Sequence, residues 1–163
     1  MKIHFTRKPQ RGFTLIELLF VVAIIGLLAS VIIVALNNAK DKGSNAGVKS
    51  NLQHAVSQAE IFYNTNTAVS NSYTGVCNNP GPVGGAKTVA PQILAAAKIV
   101  GLATYTINGI GSATTITCNA GANAWAVEAP LKTAGQMWCV DSGGKFKQET
   151  GTSLSTSTDY TCI

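Results

Sequence analysis

From Phe13 to Leu36 the chain carries 24 residues that are apolar except for Thr14, Glu17, Gly26 and Ser30, and this run limits what the protein can become. At about 1.5 Å per residue a helix of that length reaches roughly 36 Å, enough to span a bilayer with some tilt. An ordinary secretory signal has a shorter apolar core, of about 7–15 residues, followed by its small-residue cleavage site. Here the small residue, Gly12, stands before the run. Lys2, Arg7, Lys8 and Arg11 precede it, so the positive-inside rule keeps residues 1–12 cytoplasmic and sends everything from about Asn37 outward.

Those four basic residues also account for most of the formal charge of +5. Without residues 1–12 the chain has eight basic and seven acidic side chains, which gives no basic face for nucleic acid. With 163 residues there is room for one domain and a short appendage, which argues against a multi-domain enzyme. Cys77, Cys118, Cys139 and Cys162 all lie beyond the apolar run. Their even number and wide spacing predict two disulfides formed in an oxidising compartment, with three connectivities open. A zinc site would need closely paired ligands such as Cys-x-x-Cys, and His4 and His54 are remote in sequence from the cysteines.

After the apolar run the pattern becomes one-sided. Val48, Leu52, Ala55, Ala59 and Phe62 recur at spacings of four and three, with Lys49, Asn51, Gln53, Ser57, Gln58 and Glu60 on the other faces. No proline interrupts residues 13–64, so a single helix is expected there, its first half in the membrane and its second half laying a stripe on a globular head. Asn37, Asn38, Gly43 and Gly47 are its weakest points, each glycine costing about 1 kcal/mol relative to alanine. Asn64–Lys87 reads as loop, and Pro91–Val100 as a short helix capped by Gly101. Strands are expected at Thr104–Ile107 and Thr114–Cys118 around an Asn-Gly-Ile-Gly-Ser turn, then at Ala124–Lys132, Met137–Val140 and Lys145–Gln148. In the third, Trp125, Val127, Ala129 and Leu131 alternate with Ala126, Glu128, Pro130 and Lys132, which predicts one buried face and one open face. Asp141-Ser-Gly-Gly is a hairpin turn, and the Ser/Thr-rich stretch Thr150–Thr161 is expected to be tied down through Cys162.

The string Arg11-Gly-Phe-Thr-Leu-Ile-Glu17 resembles the N-terminal signature of type IV pilins and pseudopilins. The resemblance is close over about residues 7–40 and only architectural beyond. It implies an α+β fold, in which a long N-terminal helix packs on a small antiparallel sheet. It further implies a leader over 1–12, a transmembrane and filament-core helix over 13–36, its amphipathic continuation over 37–64, and a disulfide-bonded β head over 65–163. It implies cleavage after Gly12 and N-methylation of Phe13. It also implies a role for Glu17 in assembly, where the carboxylate pairs with the Phe13 amine of a neighbouring subunit. A Cys139–Cys162 bridge would resemble the C-terminal disulfide loop of pilins and would leave Cys77 with Cys118. The implied partners are further copies of the chain or related pilins, a prepilin peptidase and methyltransferase, a pilus or secretion assembly platform, and the membrane. The implied location is the inner membrane, with a single pass and the head outside the cytoplasm. Val34 and its neighbours are not proline, as in pseudopilins, whereas the cysteines are more pilin-like.

No catalytic residue, cofactor or metal is expected. His54 falls on the polar side of the helix and has no nucleophile to serve. Asp141 suits a turn better than a calcium site shared with Asp159. Trp125 and Trp138 could stack nucleobases, but core packing is the preferred reading. The Gly-Pro-Val-Gly-Gly stretch at 81–85 lacks the Lys-Ser/Thr of a phosphate loop.

Overall fold

The computed structural model describes residues 12–79 and 81–163. The basic residues up to Arg11, His4 and the Pro80 turn position lie outside the described residues. The chain divides into two compact units, Met1–Ala39 and Lys40–Ile163.

Helix α1 spans Leu15–Thr65 and passes Asn37, Asn38, Gly43 and Gly47 without a break. In the first unit every described residue of the apolar run is exposed, and the helix is long and apolar enough to cross a membrane. Among the residues of that run, Ser30 returns its hydroxyl to Leu27 O at 2.8 Å, so this polar group is satisfied by its own helix.

The second unit is built on the other half of α1. Val48, Leu52, Ala55, Ala59 and Phe62 are each 0% exposed, so the four-three spacing marks a fully buried stripe. Burial of a Val, Leu or Phe side chain is worth about 1.5–3 kcal/mol each. Helix α2, Ala90–Val100, adds Ile93, Ala96 and Ala97 to the same core. It ends as expected at Gly101, whose φ of 90° is left-handed and whose N–H returns to Lys98 O at 3.2 Å.

Five strands form one sheet in the order β1-β2-β3-β4-β5: Thr106–Ile107, Thr117–Ala120, Trp125–Pro130, Gln136–Asp141 and Phe146–Thr150. The last three pairings are antiparallel, so the α+β expectation holds. The first pair departs from it, because β1 lies parallel to β2. The residues between them do not form a hairpin turn but a looped return, pinned where Asn119 accepts Gly109 N–H and Asn108 accepts Ala120 N–H.

A second departure concerns β3. All six of its residues are buried, Ala126 and Glu128 included, although alternation placed them on an open face. Register explains how. Trp125, Val127 and Ala129 face the helices with Cys118 and Val140, and all five belong to the main core. Thr117, Asn119, Glu128, Cys139 and Asp141 share the opposite face, which residues 153–162 cover. That cover is held largely by polar groups. Asn119 Nδ2 donates to Thr156 O and Asp159 O at 3.0 and 3.2 Å. Glu128 Oε2 accepts Ser153 N–H and Leu154 N–H at 2.7 and 3.2 Å. Asp141 Oδ2 accepts Cys162 N–H at 2.9 Å. The Ser/Thr-rich stretch therefore forms a third layer, with Leu154 buried in it.

Disulfides join Cys77 to Cys118 on the helix side and Cys139 to Cys162 on the covered side, with Cα separations of 5.9 and 5.7 Å. These distances lie within the range a disulfide spans.

Candidate assembly site

Gly12, Phe13 and Thr14 precede the first turn of α1 in non-helical conformation, and Gly12 is exposed with open space where a side chain would stand. Phe13 is 82% exposed. Thr14 occupies the N-cap of α1, and Glu17 is three residues on, inside the first turn. The two form a reciprocal pair. Thr14 N–H and Thr14 Oγ1–H both donate to Glu17 Oε2, at 2.9 and 2.7 Å, while Glu17 N–H donates to Thr14 Oγ1 at 3.3 Å. This is a capping box, which satisfies two of the N–H donors that a helix start leaves without partners. A carboxylate in the first turn also meets the positive end of the helix dipole favourably. Thr-x-x-Glu ahead of an apolar run is the sequence mark of such a box, whereas the family resemblance singles out Glu17 alone.

Gly12, Phe13 and Glu17, the positions expected from the sequence to serve processing and assembly, lie close together at the start of the apolar helix, and Thr14 is hydrogen-bonded to Glu17 among them. Chemically the arrangement offers an accessible peptide bond after a glycine, and an acceptor oxygen on a helix start.

Elsewhere the candidate residues serve the fold. His54 is exposed on α1. Trp125 is 0% exposed in the core. Trp138 is half-buried beneath Lys49, whose Nζ lies 4.6 Å from the ring centre and donates to Gln148 Oε1 at 2.7 Å. Neither indole is a free stacking platform. Asp141 Oδ1 accepts Gly143 N–H and Lys145 N–H at 2.9 and 3.1 Å, the work of a turn former. Asp159 instead accepts Ser155 Oγ–H and Thr156 N–H, which hold its carboxyl below the ordinary range. Glu128, Cys139 and Glu149 approach one another, but the disulfide to Cys162 removes the thiolate, and two carboxylates alone make a poor cation cage. Sequence reasoning missed Glu128 as a buried acid. Its burial pushes the carboxyl up; the Ser153 and Leu154 N–H groups pull it down, and nearby Glu149 adds to the rise.

Residues 7–33 match the family model of the prokaryotic N-terminal methylation motif, the signature of type IV pilins and pseudopilins. The motif and the apolar helix behind it fit a pilin-like protein anchored in the inner membrane. No curated protein and no solved structure matched the chain.

Proposed function

We propose that the chain is a structural subunit of a type IV pilus or pilin-like filament, made with a leader over 1–12, cleaved after Gly12, N-methylated at Phe13 and polymerised through residues 13–36. Residues 37–64 continue the rod, and residues 65–163 form the head displayed outside the cytoplasm. The observation that carries this is the methylation motif at 7–33 overlapping a membrane-length apolar run, residues 13–36, whose sole carboxylate is Glu17. An acid within an apolar helix costs about 2.5–3.5 kcal/mol at the membrane centre. Pairing with the positive α-amine of a neighbour's Phe13 offsets that cost and sets the axial stagger of the subunits. The apolar helices pass from bilayer to filament core, surroundings of similar polarity, so the transfer itself costs little. The partners are sister subunits, the peptidase and methyltransferase that process the leader, and an assembly platform in the membrane.

Mass spectrometry of the purified N-terminus tests the processing: a chain beginning at methylated Phe13 is expected, and a chain retaining Met1 to Gly12 overturns it. Glu17→Ala should be processed and inserted but give few filaments; an unchanged filament yield would remove the salt link. A pseudopilin of a secretion machine, pushing folded cargo from the periplasm, is the second reading, favoured by the absence of proline from residues 13–64. A surface filament seen by microscopy and containing this subunit decides for the pilus.

A further inference from the structure

Composition and surface disagree about the charge of the head. From Lys40 onward the sequence holds eight basic and six acidic side chains, which reads as nearly balanced. Most of the acids are used internally. Glu128 and Asp141 are buried acceptors of backbone N–H groups, Glu149 accepts the Ser153 hydroxyl, and Asp159 accepts Ser155 Oγ–H and Thr156 N–H. Seven of the eight lysines are exposed, whereas the exposed acids among these residues are Asp41 and Glu60 alone.

Four of the exposed lysines are drawn to one end of the head. Lys42 and Asn45 stand three residues apart on one face of α1. Asn45 Oδ1 accepts Lys132 N–H at 2.7 Å and Asn45 Nδ2 donates to Thr133 Oγ1 at 2.9 Å, so the turn after β3 is fastened to that face. Lys132 Nζ donates to Val100 O at 3.0 Å, at the end of α2 and two residues beyond exposed Lys98. Lys40 lies at the start of the same stretch of α1, and Asp41 is the single exposed acid nearby. Beside Lys132 is a cleft of about 270 Å³ with apolar walls from Val100, Leu102, Pro130 and Leu131.

We propose that Lys40, Lys42, Lys98 and Lys132, with this cleft, form a docking surface for anionic phospholipid headgroups of the membrane that holds the apolar run. The inference rests on the membrane-anchored reading above and adds a second, electrostatic contact to it. Lys40 and Lys42 follow Leu36, the end of the apolar run, by four and six positions of one helix, roughly 6 and 9 Å of rise. That distance is close to the Debye length of about 8–10 Å, within which clustered lysines are attracted to an anionic leaflet. Lysine stems lie along apolar walls while their ammonium groups reach phosphate, which matches a cleft of apolar walls with Lys132 beside it. A second copy would bring the same excess of lysines and be repelled. Free nucleic acid would compete with headgroups that the anchoring helix keeps at high local concentration.

The test uses the full chain in nanodiscs of phosphatidylcholine, with or without about 30% phosphatidylglycerol, and reads amide exchange at residues 98–104 and 131–135. Anionic lipid should slow that exchange roughly tenfold, and about 1 M salt should abolish the effect. Lys42→Gln/Lys98→Gln/Lys132→Gln should lose the slowing and the corresponding arginine variant should keep it. Lys87→Gln/Lys145→Gln/Lys147→Gln, which removes equal charge elsewhere on the head, should also keep it. Exchange at residues 153–162 confirms that each variant is folded. A chain that fails to insert into either disc overturns the membrane reading itself. Insertion with exchange indifferent to lipid charge overturns only the docking surface, as does equal loss in the two glutamine variants. Equal slowing by an added oligonucleotide in phosphatidylcholine discs would reassign the surface to nucleic acid and overturn the lipid assignment.

Discussion

Replacing Glu128 tests how the outer layer of the head is held. The side chain is 0% exposed, and its Oε2 accepts two backbone N–H groups, from Ser153 and Leu154, that are themselves buried. Glu128→Ala leaves both donors without a partner, at about 1–3 kcal/mol each, so the expected loss is about 2–6 kcal/mol under mildly acid conditions. The pH dependence has a definite sign. Burial raises the folded-state value above the ordinary 4.5, so the folded protein binds the proton to higher pH than the unfolded chain does. The stability this contributes is complete below about 4.5 and is lost as pH rises through the raised value. Every tenfold difference in proton affinity between the folded and unfolded states is worth about 1.4 kcal/mol. The charged groups on the same face are Glu149 on β5, which strengthens the effect, Asp141 on β4, and Lys147, which donates to Ile163 O. Glu128→Gln keeps an acceptor for both N–H groups and cannot ionise. Urea unfolding of the full chain in detergent, with disulfides intact and read by tryptophan fluorescence between about pH 4.5 and 8, should show three behaviours. Wild type should lose stability as pH rises, Glu128→Gln should flatten that slope, and the deficit of Glu128→Ala should shrink towards high pH. A deficit that stays constant or grows with pH would mean that Glu128 is ionised in the fold throughout, and the argument from burial would be refuted.

The same unfolding assay covers the rest of the head. Phe62→Ala, which empties a fully buried position of the α1 stripe, should cost about 3–5 kcal/mol, whereas His54→Ala on the exposed side of the same helix should change stability by less than about 0.5 kcal/mol. The paired change Cys139→Ser/Cys162→Ser opens a loop of sequence separation 23 and should cost about 3 kcal/mol, with faster amide exchange confined to residues 153–162. Gly111→Ala would set a Cβ 2.1 Å from Glu128 Oε1, which forces the carboxylate off its two donors. Its cost should match that of Glu128→Ala, and the double variant should be no worse than either alone; additive losses would place the two effects apart.

The parts of this fold that were legible in the sequence are those where one periodicity decides one surface. The stripe from Val48 to Phe62 could be read residue by residue because a helix with a single covered face has no other way to arrange those spacings. Pro91 and Gly101 gave the bounds of α2 to within a residue, since each has a backbone reason to stand at a helix end. The strands were legible in position and, at the Asp141-Ser-Gly-Gly hairpin, in partnership, but the first pair was not. A two-residue β1 beside an Asn-Gly turn carries too little pattern to separate a hairpin from a parallel return. The outer layer was hidden for a stronger reason. Ser153 to Cys162 has the composition of a loose tail, and its order depends on Asn119, Glu128 and Asp141, which lie on three different strands. Glu128 read as solvent-facing because alternation reports polarity, and polarity does not distinguish water from a hydrogen-bonded protein layer; Asp141 read only as part of a turn, and Asn119 lay beyond the expected strand Thr114–Cys118.

Glu17 and Glu128 show the same physics from opposite directions. Each is an acid set where apolar surroundings would be expected to exclude it, and each is made tolerable by backbone N–H donors that would otherwise be orphans: Thr14 at the start of α1, Ser153 and Leu154 in the outer layer. In both, the donors converge on Oε2, and among the described residues Oε1 takes no hydrogen bond. What differs is access. Glu128 Oε1 is sealed against Gly111, so the only relief for its charge is a proton, and the group acts on stability. Glu17 stands on an exposed helix end, where a cation from another molecule can reach its second oxygen, the contact proposed above for assembly. An internal acid therefore reads as a lock or as a handle according to what can reach its second oxygen, a distinction carried by local packing and invisible to residue type.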